Sequence, residues 1–227
     1  MPGTKVSLRV SLRVLAALLD YPDARLRNDL AEMTTLLAEE GALSESRRGE
    51  IQALSRWLAN GEPLDVEAEY VETFDRGRST SLHLFEHVHG DSRERGPAMI
   101  DLAQTYAAAG LMLKEGELPD YLPAVLEFAS TQPPAEAKAF LGEIAHLANT
   151  IFSALLARRS RYAAVMGALL DMAGEPARAV ELAAEPALDE SWAEPPAFDG
   201  CASAGQARPG EPQPVRIVRR TEQGIPR

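Results

Sequence analysis

Cysteine is almost absent from this sequence. Cys201 is the only one in 227 residues, which excludes an internal disulfide and any iron–sulfur or zinc site built from several cysteines. A single unpaired thiol is typical of a protein from a reducing compartment. Cys201 also lies beyond the predicted folded region and has no neighbouring histidine, so it is not a candidate nucleophile.

Long apolar runs are also missing. The run over residues 14–19 is confined by Arg13 and Asp20, and it is too short to be the apolar part of a secretory signal. No stretch approaches the roughly 18 uninterrupted apolar residues that a membrane-spanning helix needs. The sequence therefore predicts a cytoplasmic protein without direct membrane insertion.

Positive charge is scarce in the first 200 residues. The whole chain has a formal net charge of −11, although residues 201–227 contain five arginines against two glutamates. Residues 1–200 therefore carry 18 basic and 32 acidic side chains, a net charge of −14. Such a surface repels nucleic-acid phosphates, which argues against DNA or RNA as a partner. It attracts a cationic peptide instead.

Aromatic residues make up only 6% of the chain, whereas alanine and leucine dominate an apolar fraction of 45%. This composition favours helices, and no strand alternation, Asn-Gly hairpin or β-α-β rhythm is present. The sequence therefore predicts an all-α fold, a single-domain helical bundle. We expect a helical domain over residues 1–174, an acidic, proline-containing segment over 175–200 and a disordered basic tail over 201–227.

Helix start and stop signals divide the predicted domain. Asp23 and Ser44 are predicted N-caps, and Gly41 and Gly174 are predicted to end helices. Beyond a first amphipathic helix that ends before a proline, periodicity predicts helices over 63–75, 82–89, 99–113, from near 120, 135–159 and 161–172. Apolar residues cover most of the helix over 99–113, so we expect it to be central and buried.

Three of the four histidines lie between residues 81 and 96. Within this segment His83, Glu86 and His87 have the H-x-x-E-H order of zinc ligands in one metallopeptidase class. On a helix with about 100° per residue, however, both histidines would face away from the apolar arc. Because a metal site needs ligands aimed into a cleft and a third ligand, we favour a solvated or hydrogen-bonded histidine surface and expect no bound metal.

The following stretch, GDSRERG (residues 90–96), has glycines and arginines but not the order of a phosphate-binding loop, and no predicted strand precedes it. We interpret it as a turn in which Asp91 caps a helix or pairs with Arg93 or Arg95.

Two longer strings carry a family resemblance. YVETFDRGRSTSLHLFEHVHGDSRERGPAMIDL (residues 70–102) and GELPDYLPAVLEF (residues 116–128) resemble the signature blocks of the NarJ family of respiratory nitrate reductase molybdenum-cofactor assembly chaperones, which is related to the TorD/DmsD chaperones. The resemblance extends over roughly residues 8–200 and includes the late segment WAEPPAFDG. Tyr121 stands where related chaperones often have histidine.

The resemblance implies a cytoplasmic, all-helical, system-specific chaperone rather than an enzyme. Such a protein would bind the basic N-terminal segment of the apo catalytic (alpha) subunit of nitrate reductase and permit insertion of the molybdenum cofactor, without a resident cofactor of its own. An amphipathic, cationic segment docks well into a groove between helices.

We hypothesise that the residues which bind this segment come from the two matching blocks. Apolar side chains would line or support the groove: Leu82, Phe85, Leu118, Tyr121 and Leu122. Carboxylates would attract the cations of the peptide: Asp75, Glu86, Asp91, Glu117 and Asp120. Two alternatives stay open at this point: a chaperone for another molybdoenzyme of the same superfamily, and a zinc hydrolase that uses His83, Glu86 and His87.

Overall fold

The computed structural model of the protein describes residues 7–89 and 93–181. Over these ranges the chain forms nine α-helices and one short 3-10 turn, Arg78–Thr80, and no strand. The helices are α1 (Arg9–Leu18), α2 (Ala24–Glu40), α3 (Glu45–Asn60), α4 (Pro63–Phe74), α5 (Leu84–Val88), α6 (Arg95–Ala108), α7 (Leu122–Thr131), α8 (Pro134–Ala157) and α9 (Ala163–Ala173). The all-α prediction is confirmed.

The predicted caps are present. The Asp23 carboxylate accepts a hydrogen bond from the Leu26 amide (2.8 Å), and the Ser44 hydroxyl accepts one from the Arg47 amide (3.2 Å). Gly41 and Gly174 end α2 and α9 in the left-handed conformation, which a residue without a side chain adopts at least cost. Local sequence therefore determines where these helices begin and end.

The core is built around a helical hairpin of α8 and α9. Helix α1 packs on α7 and α2, and α3 packs on both α2 and α9. Helix α8 is long and apolar enough to cross a membrane by length and composition alone. Ten of its residues are buried in this core, so the packing of the bundle accounts for its apolar character.

The prediction that the helix over 99–113 is central and buried is wrong. This region forms α6, of which only Tyr106 is buried, while Ile100 is 58% exposed and Met112, just beyond the helix, is 94% exposed. The Tyr106 hydroxyl donates a hydrogen bond to the Pro119 carbonyl oxygen (2.9 Å), and its ring packs on Phe128 at 4.9 Å between centroids. One aromatic side chain thus anchors an otherwise peripheral helix.

After α9 the chain turns back and runs along α8. The Arg178 amide donates to Asn149 Oδ1 and the Val180 amide to Ser153 Oγ, both at 3.0 Å. Amides two residues apart in an extended chain, such as those of Arg178 and Val180, are separated by about 6.7 Å. Side chains one turn apart on a helix, such as those of Asn149 and Ser153, are separated by about 6 Å, so each amide meets one side chain.

The predicted boundaries at residues 174 and 200 stay predictions. The predicted disordered tail and Cys201 lie outside the described residues.

Candidate functional site

The two blocks that resemble the chaperone family meet in space. His83 and Tyr121 form an isolated antiparallel bridge: the Leu84 amide donates to the Asp120 carbonyl oxygen (3.0 Å), and the Leu122 amide donates to the Leu82 carbonyl oxygen (2.8 Å). Backbone hydrogen bonds therefore fix the start of α5 against the start of α7. Residues from both blocks form one surface.

The side chain of Asp120 lies under this bridge and is completely buried. Its Oδ2 accepts a hydrogen bond from the Phe85 amide (3.1 Å), and its Oδ1 lies 3.4 Å from His83 Nδ1. The guanidinium of Arg95 at the start of α6 is 3.8 Å from Oδ2. A buried carboxylate requires such partners, and here all three come from the first block, which extends into α6.

The imidazole of His83 is held in a charged environment. The hydrogen bond with Asp120 raises its pKa, burial acts in the opposite direction, and the charges of Asp120 and Glu86 add to the increase against the opposing charge of Arg95. The His83 ring also packs against the Tyr121 ring at 5.3 Å between centroids. Asp120 therefore favours the protonated form of His83.

The prediction of a helix over 82–89 with both histidines on its polar face is wrong in geometry. Helix α5 has only five residues, and His83 precedes it in extended conformation, facing Asp120. His87 Nε2 is 2.8 Å from the Ser81 carbonyl oxygen, whereas Val88, from the predicted apolar arc, is 53% exposed. The bridge to Tyr121 shortens the helix because it pulls the preceding residues into extended backbone.

Neither histidine belongs to a recognisable metal centre. Over residues 7–89 and 93–181, no group of three or more His, Cys, Asp or Glu side chains is arranged to hold a metal ion. His83 and His87 each face an oxygen of the protein instead. The geometry therefore gives no support to the zinc hydrolase hypothesis.

Three tyrosines continue the surface away from Asp120. The Tyr70 hydroxyl donates to the Leu19 carbonyl oxygen (2.8 Å) and lies 3.4 Å from the Tyr121 hydroxyl. The Tyr21 ring meets the Tyr70 ring edge-on at 5.6 Å between centroids, and its hydroxyl donates to Glu67 (2.9 Å). Tyr21 is 43% exposed, so the row opens to solvent at that end.

Carboxylates surround these tyrosines. Burial raises the pKa of Tyr121, and the charges of Asp20, Asp75 and Glu117 raise it further, while its hydrogen bond with Tyr70 acts in the opposite direction. Within the described part of the chain, no lysine or arginine forms an ion pair with any of these three acids. We call Tyr21, Tyr70, Tyr121, Asp20, Glu67, Asp75 and Glu117 the acidic tyrosine surface.

A cleft of about 250 Å³ adjoins this surface. Its lining includes the acids Asp75 and Glu86, the bases Arg76 and Arg78, and His83. Two larger clefts lie elsewhere, one between α2 and α3 and one beside the start of α1, and no carboxylate lines either of them. Among these three clefts, the smallest is the one lined by carboxylates, and two arginines of the same lining balance their charge.

The structure places the predicted binding residues at different depths. Leu82, Leu122 and Asp120 are buried, and Leu118, Asp75 and Glu86 are exposed. Phe85, Tyr121 and Glu117 are half-buried, and Asp91 lies outside the described residues. The buried members support the surface, while contact between a peptide and any member of the set stays a prediction. A peptide could reach Asp120 only if its present neighbours moved.

Sequence reasoning missed Asp20, Tyr21 and Glu67. Asp20 and Tyr21 lie in the turn between α1 and α2, far along the chain from both matching blocks. The sequence at Asp20 and Tyr21 shows only an Asp-Tyr-Pro turn after an apolar helix. Such a turn does not by itself indicate a binding site. Tertiary packing brings this turn to Tyr70.

Comparisons with known proteins cover both blocks of this site. The family model described as nitrate reductase delta subunit matches residues 40–166, more than half of the chain. Escherichia coli (strain K12) has two similar proteins. Nitrate reductase molybdenum cofactor assembly chaperone NarJ is 43% identical over 164 residues, 72% of this chain and 70% of that protein. Probable nitrate reductase molybdenum cofactor assembly chaperone NarW is 39% identical over 163 residues, 72% of this chain and 68% of that protein.

A third relative has a similar name. The probable nitrate reductase molybdenum cofactor assembly chaperone NarJ of Bacillus subtilis (strain 168) is 31% identical over 162 residues, which are 71% of this chain and 87% of that protein. The family model extends across α3 to the start of α9, including the bridge between the two blocks. The chain therefore belongs to the nitrate reductase delta subunit family, and its NarJ-like relatives confirm the resemblance in its sequence.

Proposed function

We propose that this protein is a cytoplasmic assembly chaperone, without catalytic activity of its own, for the apo catalytic subunit of nitrate reductase. It binds the basic N-terminal segment of that subunit and keeps the subunit competent for insertion of the molybdenum cofactor. The names of the relatives support the chaperone role. The observation that carries the peptide-binding step is the acidic tyrosine surface at the junction of the two family blocks.

This surface has the chemistry that a basic, amphipathic peptide needs. Tyr21 and Leu118 are 43% and 42% exposed and offer apolar contact, while Asp20, Asp75 and Glu117 offer negative charge that no basic side chain of the described residues pairs with. Aromatic rings also attract cations at close range. The surrounding net negative charge increases the rate of encounter.

Calorimetry with a synthetic peptide of the N-terminal segment tests this assignment. Reversal of two exposed or half-buried acids, Asp75→Lys with Glu117→Lys, should weaken binding about tenfold at low salt, because attraction becomes repulsion at two points. The remaining affinity should also depend less on salt.

A matched pair of reversals on other helices controls for net charge. Glu32→Lys on α2 with Glu143→Lys on α8 changes the charge equally at two exposed positions. If both pairs of reversals weaken binding by the same factor, only long-range charge matters. If the Asp75→Lys, Glu117→Lys protein binds with unchanged affinity, the peptide does not bind at this surface. Failure of the unaltered protein to bind any such peptide would contradict the proposed function itself.

The second candidate function is a chaperone for another molybdoenzyme. Its support is that the same fold and charge would suit any basic leader segment. Peptides from several molybdoenzyme catalytic subunits, compared in the same calorimeter, separate the two: the nitrate reductase peptide should bind most tightly.

A further inference from the structure

Arg95 occupies a position where its charge is unfavourable for its own helix. It is the first residue of α6, whose first turn contains no acidic residue and whose N-terminus has no side-chain cap. The N-terminal end of a helix carries partial positive charge, so a cation there is unfavourable. The position of this arginine therefore requires an explanation outside its own helix.

Among the described residues, the ion-pair contacts of Arg95 point back to the candidate site. Its guanidinium nitrogen is 3.7 Å from Glu86 Oε1 and 3.8 Å from Asp120 Oδ2. Both distances are long for charge-assisted hydrogen bonds, which are shorter than about 3 Å. The guanidinium thus lies between two carboxylates from different elements and is held loosely, with 28% of its side chain exposed.

The site around this guanidinium is built from buried groups. Asp120 is fully buried, and two of its bonds are already committed, to the Phe85 amide and to His83. What remains is one carboxylate edge that faces the space occupied by Arg95, with Glu86 on its other side.

We propose that Asp120 and Glu86 form an arginine subsite of the peptide-binding surface and that Arg95 occupies it in the free protein. An arginine of the client's N-terminal segment replaces Arg95 when the peptide binds. This inference rests on the proposed function, because it names the residue of the client that the surface reads. A planar, forked cation can engage two carboxylates at once, which a lysine does less well.

The exchange has a consequence for α6. Arg95 holds the beginning of this peripheral helix, and Tyr106 holds its end through Pro119. Displacement of Arg95 removes the first of these attachments. Peptide binding should therefore loosen the first turn of α6 while Tyr106 stays in place.

The test compares two arginines that lie two residues apart. Arg95→Gln and Arg93→Gln, each made in the full chain, change the net charge equally, and Arg93 is exposed. If Arg95 competes with the client, the Arg95→Gln protein should bind the synthetic N-terminal peptide about two- to fivefold more tightly than the Arg93→Gln protein. A peptide whose arginines are replaced by glutamine should lose that gain.

Equal or weaker binding by the Arg95→Gln protein would overturn the inference, since a purely structural ion pair should not hinder the peptide. Hydrogen exchange of the unaltered protein gives a second readout that needs no variant. Peptide binding should speed exchange of the Ala98 amide, whose hydrogen bond to the Glu94 carbonyl oxygen closes the first turn of α6, and slower or unchanged exchange there would contradict the displacement of Arg95. If the unaltered protein binds no peptide at all, the proposed function has failed rather than the subsite.

Discussion

Replacement of Asp120 by asparagine isolates the charge of the buried carboxylate. Asparagine has nearly the same shape, and its amide oxygen can still accept the hydrogen bond from the Phe85 amide. It cannot stabilise a protonated His83. Because the hydrogen bond with Asp120 is the main cause of the raised His83 pKa and burial opposes it, we expect that pKa to fall below its ordinary value of about 6.5 in the Asp120→Asn protein.

The loss of stability should be about 2 kcal/mol. A hydrogen bond to a buried charged group contributes about 1.5–3 kcal/mol. In the Asp120→Asn protein the hydrogen bond from the Phe85 amide is weakened but not lost. The His83 side chain is 34% exposed, so solvent screening reduces the contribution of its interaction with Asp120 to the free energy of unfolding. The folded pKa of His83 lies above the unfolded one, so its contribution is complete below about pH 6.5 and is lost as the pH rises through the folded pKa. The stability difference between the two proteins should therefore shrink between pH 6 and pH 8.5.

Two measurements check this prediction. Proton NMR of the imidazole signals, with His83 assigned by a His83→Gln variant, gives the pKa, and urea unfolding at both pH values gives the stability. Asp101→Asn on the exposed face of α6 makes the same chemical change and should alter neither quantity. An unchanged His83 pKa, or a stability difference that grows with pH, would refute the roles assigned to Asp120 and His83.

Two further substitutions probe how α1 and α6 are held. Burial opposes ionisation of Glu40, but hydrogen bonds from Ser11 and Val10 outweigh it and lower the Glu40 pKa, so Glu40→Gln should cost about 1 kcal/mol at pH 7. This loss of stability should vanish as the pH falls through the pKa of Glu40 in the folded protein. Urea unfolding at pH 7 and pH 3.5 measures the loss, and an equal loss at both pH values would mean that Glu40 is not ionised at this cap. Tyr106→Phe leaves the Pro119 carbonyl oxygen without its donor and should also cost about 1 kcal/mol. Hydrogen exchange should then quicken in α6 but not in α8, and uniform quickening would mean that Tyr106 supports the core rather than α6.

Local signals predicted most of the helices because each signal acts within a few residues. Asp23 and Ser44 bond amides three positions ahead, and Gly41 and Gly174 adopt a conformation that other residues avoid. The apolar residues of α6 were a weaker guide. Apolar periodicity indicates that a helix has a face to cover, but it does not indicate which surface covers it, and in this structure much of that face stays exposed.

The candidate site was predictable only through the family resemblance. The bridge between His83 and Tyr121 joins residues 38 positions apart, and no helical period reports such a pairing. Because the bridge forms, His83 lies outside the helix and Asp120 is buried. The polar Asp-Tyr sequence at residues 120–121 does not suggest this burial. Tyr21 was missed for the same reason, since only tertiary packing places it beside Tyr70.

The backbone bonds from Arg178 and Val180 to α8 decide where the chain can be shortened. A version that stops at Gly174 would leave the amide of Asn149 and the buried hydroxyl of Ser153 without their donors. It would also uncover the core beneath Ala177. A version that stops after Glu181 keeps all of these contacts, so it is the better starting point for crystallisation and for isotope-labelled samples.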